Sequence, residues 1–101
     1  MKTCYFDLRT RVIADLIHGD LLGFPPDTMV ISRINVPQSH RGKGLGTKIL
    51  KEILKDADSE RVKLVLEPLA SGGLNRDQLI SWYRRNGFID SRKGFLSRDP
   101  K

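Results

Sequence analysis

The chain holds one cysteine, Cys4, which excludes an internal disulfide and suits a reducing compartment. No apolar run approaches the ~20 residues of a membrane-spanning helix, and the first residues lack a signal-peptide pattern. Cytoplasm is the expected location, with no membrane role. Repeats, low-complexity stretches and Ser/Gly linkers are also missing, so the 101 residues are expected to form one domain. His18 and His40 lack partners at metal-ligand spacing; both are expected on the surface, and no metal is expected.

What remains is ordinary for a globular protein, at 39% hydrophobic and 30% charged residues. The formal net charge of +6 favours encounter with polyanions such as nucleic acid, phosphorylated cofactors or acidic protein surfaces. Solubility alone accounts for such a balance equally well.

Periodicity supplies the elements. Cys4, Phe6 and Leu8 alternate with Tyr5, Asp7 and Arg9, the period of a half-buried strand, with Cys4 expected in the core. Arg11 to Ile17 reads either as a hairpin strand or as a turn or two of helix. Residues 19–28 carry Gly23 and Pro25-Pro26 and form a loop. Met29 to Val36 is rich in β-branched residues and stops at Pro37, which marks a strand. From about Gly42 the period changes. Leu45, Ile49, Ile53 and Ala57 form a stripe with Leu50 and Leu54 beside it, opposite Lys48, Lys51, Glu52, Lys55 and Asp56, as in a helix packed on a sheet. Val62 to Leu66 is a further short strand, and Ser71-Gly72-Gly73 then breaks the chain. Asn75 with Gln78 predicts a capping box, Leu74 with Leu79 a hydrophobic staple, and Gly87 a left-handed helix end. Phe88-Ile89 and Gly94-Phe95-Leu96 read as two strands joined by a polar turn. The predicted class is α/β (α+β), with a mixed sheet and two main helices.

The chemistry concentrates where the strand Met29 to Val36 runs through Pro37-Gln38-Ser39-His40 into Arg41-Gly42-Lys43-Gly44-Leu45-Gly46 and on into the helix. The first amides of a helix have no intrahelical partners, and the helix dipole adds positive charge beside them. Glycines let a phosphate approach that backbone, and Arg41, Lys43 and Lys48 add side-chain charge. The spacing fits neither the P-loop nor the dinucleotide fingerprint, whose third glycine is replaced by Thr47. A glycine-rich turn that merely caps a helix is the plain alternative, and the strand-loop-helix setting with its clustered cations speaks against it.

These residues resemble the GNAT family of N-acetyltransferases, whose motif Arg/Gln-x-x-Gly-x-Gly/Ala is matched by Arg41, Gly44 and Gly46 after Val36-Pro37. Trp82-Tyr83-Arg84-Arg85-Asn86-Gly87-Phe88 is similar to that family's aromatic-Tyr-x-x-x-Gly-Phe helix end. The resemblance spans roughly Met29 to Arg98. It implies a twisted, largely antiparallel sheet with a central splayed parallel pair of strands, and acetyl-CoA as cosubstrate.

By the same resemblance, Ile34-Asn35-Val36 would face pantetheine, with Ile34 and Val36 pairing with it and Asn35 pointing elsewhere. The amides from Gly42 to Thr47, including Lys43, Leu45 and Gly46, would bind the pyrophosphate. Tyr83 stands in the place of the tyrosine that protonates the CoA thiolate after an amine attacks the thioester; a core aromatic is the other reading, since Leu79 lies one turn earlier on the same face. Family members often carry a basic Glu on the strand before the motif. Here that strand offers Ser32, Arg33 and Asn35, and the nearest carboxylate is Glu67 on the next strand, which a solvated strand end explains as readily. Family members also place an Asn seven residues before the tyrosine, whereas Asn75 lies eight before Tyr83 and is explained by its cap.

About 28 residues precede the central strand, too few for the N-terminal strand and two helices that wall the acceptor pocket of longer members. A macromolecular acceptor, a protein lysine or N-terminus, is therefore expected, or a homodimer whose second subunit completes the wall. Short domains with this ending resemble acetyltransferases encoded by bacteriophages, anti-CRISPR acetyltransferases among them. Two other classes stay in play: a module that binds CoA without chemistry, and a nucleic-acid-associated protein or an acetyltransferase acting on charged tRNA, suggested by the +6 charge with Arg84, Arg85, Arg92, Lys93 and Arg98. A solvated basic surface explains that last cluster more simply, so nucleic acid is not an expected partner.

Overall fold

The computed structural model describes residues 1–69 and 74–101; the predicted break at Ser71-Gly72-Gly73 lies outside them. Six strands form one mixed sheet in the order β1-β2-β3-β4-β6-β5. They are β1 (Cys4–Phe6), β2 (Ile13–His18), β3 (Thr28–Asn35), β4 (Lys63–Leu66), β5 (Ile89–Asp90) and β6 (Leu96–Arg98). Two helices, α1 (Leu45–Glu60) and α2 (Arg76–Arg85), flank β4 in sequence. Fold class and element order are those the periodicity and the resemblance implied. The ambiguous stretch after Arg11 is a strand, and the loop 19–28 opens with a 3-10 turn, Gly19–Leu22.

The N-terminal strand corrects the sequence reading. Tyr5 is its buried residue, whereas Cys4 is exposed and Phe6 and Leu8 are 51% and 75% exposed. Tyrosine is amphipathic: its ring packs in the core while its hydroxyl donates to the Asp56 carboxylate of α1 at 2.5 Å. Leu8 belongs to no strand. It lies in the β1–β2 turn, where the Asp7 carboxylate accepts from the Arg9 and Thr10 amides.

The predicted apolar stripe of α1 is the core side of that helix, with Ile49, Leu50, Ile53 and Ala57 buried against the sheet. The cap of α2 has both bonds of the box, Asn75 Oδ1 accepting from the Gln78 amide and Gln78 Oε1 from the Asn75 amide, each at 2.9 Å. At its other end Gly87 takes φ +93°, the Phe88 amide donates to the Tyr83 carbonyl and the Gly87 amide to the Arg84 carbonyl. This is a Schellman closure, and the Tyr83 and Phe88 rings complete it with an edge contact at 5.2 Å.

The C-terminal strand is locked to α1 by charge. Both Arg98 amino groups donate to the Asp58 carboxylate, at 2.8 and 3.0 Å, and the Arg98 side chain is only 6% exposed. The Arg98 guanidinium, helped by the Lys101 amide, holds the Asp58 carboxyl below the usual carboxylate range. A depressed folded-state pKa contributes stability that is complete above the unfolded value of about 4 and lost as pH falls through the folded one. Asp58→Ala leaves a buried guanidinium unpaired and is expected to cost about 3 kcal/mol, measured by urea unfolding at neutral pH. The deficit relative to wild type should shrink when the unfolding is repeated at progressively acid pH.

The sheet's central feature is a divergence. Parallel pairing of β3 with β4 covers only Thr28↔Lys63, Met29↔Leu64 and Val30↔Val65. Beyond Val30, β3 stays with β2 as far as Asn35, while Leu66 of β4 pairs with Leu96 of β6. The register with β2 slips where Asp15↔Arg33 is followed by Leu16↔Ile31, leaving Ser32 as an extra residue. Such a bulge bends a strand and sharpens its twist, and this one sits where the two central strands part.

Candidate active site

The parted strands open onto a cavity of about 450 Å³, in the size range of small-ligand sites. Its walls are β3 from Ile31 to Ile34 with Val36, the end of β4 through Leu66, Glu67, Pro68 and Leu69, the first turn of α1, and Leu79, Trp82 and Tyr83 of α2.

At the α1 end the backbone is built to receive an anion. Gly42 and Gly44 take φ +82° and +72°, a conformation in which L side chains are strained, and among the described residues a Cβ on either would meet no atom within 4 Å. Gly44 is the N-cap and no side chain caps the helix; the first intrahelical bond runs from the Lys48 amide to the Gly44 carbonyl at 3.0 Å. The amides of Leu45, Gly46 and Thr47 therefore precede the hydrogen-bond ladder, and the first turn carries no acidic residue to occupy them. Arg41 lies alongside, its Nε donating to the Val36 carbonyl at 3.1 Å, which folds the 37–40 loop back against the end of β3.

The α2 wall carries Tyr83. It is 5% exposed, borders the cavity, and its hydroxyl has no hydrogen bond among the described residues. Burial raises its phenol above the ordinary value of 10, so it stays protonated throughout the neutral range. Trp82 packs beside it, ring centroids 4.8 Å apart, and its Nε1 donates to Thr47 Oγ1 at 2.9 Å. Among the described residues Glu67 is the cavity's sole carboxylate, and it is exposed.

Of the sequence-derived candidates, the structure gathers Ile34, Val36, Arg41, Gly42, Gly44, Leu45, Gly46, Thr47, Glu67 and Tyr83 around this one cavity. Asn35, Lys43 and Lys48 do not border it; Lys48 faces a separate groove beneath the β1–β2 turn. His40, expected on the surface and merely adjacent to the cofactor loop, is half-buried and lines the cavity beside Arg41. Ser32, the bulge residue, and Arg33 also line it, and no residue type announces the bulge. Leu79 and Trp82 were findable: they share the face of α2 that carries Tyr83, at helical spacing.

Residues 10–90 match the family described as Acetyltransferase (GNAT) domain, and the chain belongs to that family. Its fold is shared with solved structures at low identity. The anti-CRISPR protein AcrVA5 aligns with a TM-score of 0.61 at 14% identity over 85% of each chain. A GNAT-family acetyltransferase from Staphylococcus aureus Mu50 gives 0.66 at 17% identity, covering 95% of this chain and 65% of its own. A protein from Klebsiella pneumoniae described as an acyl-CoA N-acyltransferase gives 0.65 at 17%, covering 97% and 70%. No curated protein shows significant sequence similarity to the chain.

The family uses acetyl-CoA, and the cavity fits it by chemistry. Open-sided left-handed glycines and free amides at the α1 N-terminus suit a pyrophosphate. The stretch of β3 that β4 leaves unpaired suits an extended amide-bearing arm, as added strands do. A protonated phenol, Tyr83, lines the same cavity.

Proposed function

We propose that the protein is an N-acetyltransferase that takes acetyl from acetyl-CoA and transfers it to a primary amine carried on a protein, a lysine or an N-terminus. The observation that carries this reading is that one cavity, opened where β3 and β4 part, is lined both by the first turn of α1, whose amides have no partner among the described residues, and by Tyr83. When bound, acetyl-CoA supplies the activated acetyl thioester. Arg41 and the amides from Gly42 to Thr47 hold the phosphates, and the free edge of β3 near Ile34 and Val36 orients the pantetheine arm. Tyr83 offers its phenolic proton to the departing sulfur. Glu67 accepts the proton that the attacking nitrogen gives up.

The amine enters at the rim formed by Ser32, Arg33, Glu67 and Leu69, all exposed. An open rim of this kind admits a side chain projecting from a folded surface. The test is transfer of labelled acetyl from acetyl-CoA to a lysine-rich protein and to free small amines. Faster turnover of the protein supports the reading, whereas efficient turnover of small amines alone contradicts its acceptor class. No transfer to any amine, with acetyl-CoA bound, would leave a CoA-binding module without chemistry.

Glu67→Gln is expected to lower kcat/KM about a hundredfold near neutral pH, the usual worth of a positioned base. The deficit should shrink as pH approaches the lysine amine's own pKa of about 10.4, where a base is no longer needed. A pH-independent effect would remove Glu67 from proton transfer.

A further inference from the structure

Trp82 and Thr47 meet at the cavity wall from different helices, 35 positions apart in sequence. Trp82 Nε1 donates to Thr47 Oγ1 at 2.9 Å, and the indole edge lies 3.7–3.8 Å from where a Cβ on Gly46 would stand. Thr47 belongs to the first turn of α1, and both side chains line the cavity. An indole N–H can only donate, so it fixes the threonine oxygen as acceptor. The single hydroxyl proton of Thr47 must then point away from the indole, and one open direction is the cavity beside the free amides.

We propose that Trp82 is a positioning residue for the phosphate-binding turn: by occupying one lone pair of Thr47 Oγ1 it presents the Thr47 hydroxyl proton to a phosphate oxygen of the bound nucleotide. The proposal rests on the acetyl-CoA reading of the cavity and adds a donor to it. It also ties the anion end of the cavity to the helix that carries Tyr83, because Trp82 is the residue before it. A ligand that lacks phosphates has no use for this bond. One that carries them gains a charge-assisted hydrogen bond, worth about tenfold in affinity.

The test is a double-substitution cycle in the intact chain, with affinity read by calorimetry for acetyl-CoA and for S-acetylpantetheine, which lacks the pyrophosphate. Trp82→Phe keeps the aromatic packing and removes the N–H; Thr47→Val keeps the shape and removes the hydroxyl. Each is expected to weaken acetyl-CoA about tenfold and leave S-acetylpantetheine unchanged, and the pair together is expected to cost no more than Thr47→Val alone. Equal weakening of both ligands by Trp82→Phe would show that the indole only shapes the cavity and would overturn the proposal. So would full acetyl-CoA affinity in Thr47→Val, which would place the hydroxyl proton on a helix carbonyl instead. If wild type binds S-acetylpantetheine no more weakly than acetyl-CoA, or binds neither, the phosphate reading itself fails and the proposal falls with it.

Discussion

Tyr83→Phe is expected to lower kcat about a hundredfold while leaving KM for acetyl-CoA nearly unchanged. The substitution is unusually clean. Phenylalanine keeps the ring contacts with Trp82 and Phe88 and leaves the backbone bonds that end α2 untouched. The lost hydroxyl has no intramolecular partner among the described residues, so no buried group is orphaned and stability should hold. The proton balance sharpens the expectation. Burial holds the phenol above 10, whereas a free thiol titrates near 8.5, so complete transfer to the sulfur is uphill. Tyr83 therefore works mainly as a hydrogen-bond donor to developing negative charge, which lowers the barrier without a net change in its own protonation. Because a raised folded-state pKa keeps the phenol neutral well beyond its ordinary value, the wild-type rate should rise with pH as the amine deprotonates and show no Tyr83-dependent fall below about pH 10. An unaltered kcat in the phenylalanine variant would make Tyr83 a core residue whose spacing to Gly87 and Phe88 serves helix termination only.

The second large effect concerns the phosphate turn. Gly44 has φ +72° with open space where its Cβ would stand. Asn and Asp are the side chains that best tolerate this backbone, and they are nearly isosteric. Gly44→Asn adds bulk where the ligand should lie, and Gly44→Asp adds the same bulk with a negative charge. A carboxylate within several ångströms of a pyrophosphate costs a few kcal/mol at a partly screened site. Acetyl-CoA affinity is expected to fall at least a hundredfold further in the Asp variant than in the Asn variant, measured by calorimetry at low salt. Thermal unfolding should place the two variants close together, since the Cβ of either meets nothing among the described residues. Equal affinities in the pair would mean that no phosphate approaches this turn.

Much of this was legible in the residues. The stripe Ile49, Leu50, Ile53 and Ala57, the Asn75-Gln78 box and the Gly87 terminus are local devices, each written within one or two turns of chain. The strand-loop-helix at Arg41 to Gly46 is equally local, and with the Trp82 to Phe88 segment it carries the resemblance to the family that the match over residues 10–90 shows. What the sequence hid is set at long range. Tyr5 faces inward with its hydroxyl on Asp56, 51 positions away, and Cys4 and Phe6 face outward, so the alternation holds with its phase reversed. The Ser32 bulge comes from pairing with β2 and carries no residue signature. Lys48 looked like part of the cation cluster because it is near Gly46 in sequence, but its position on the helix directs it to the other side of α1. The Trp82–Thr47 bond joins two motifs that a linear reading treats as independent.

The same bond supplies the most direct test. Trp82 is the sole tryptophan of the chain and it lines the cavity, so its fluorescence reports on that site alone. Titrating the intact protein with acetyl-CoA should give a saturable change in tryptophan emission, with a midpoint matching the calorimetric one and no change for Gly44→Asp over the same range. No saturable heat and no emission change, or binding heat that leaves Trp82 unaffected, would contradict the claim that acetyl-CoA occupies the cleft between β3 and β4.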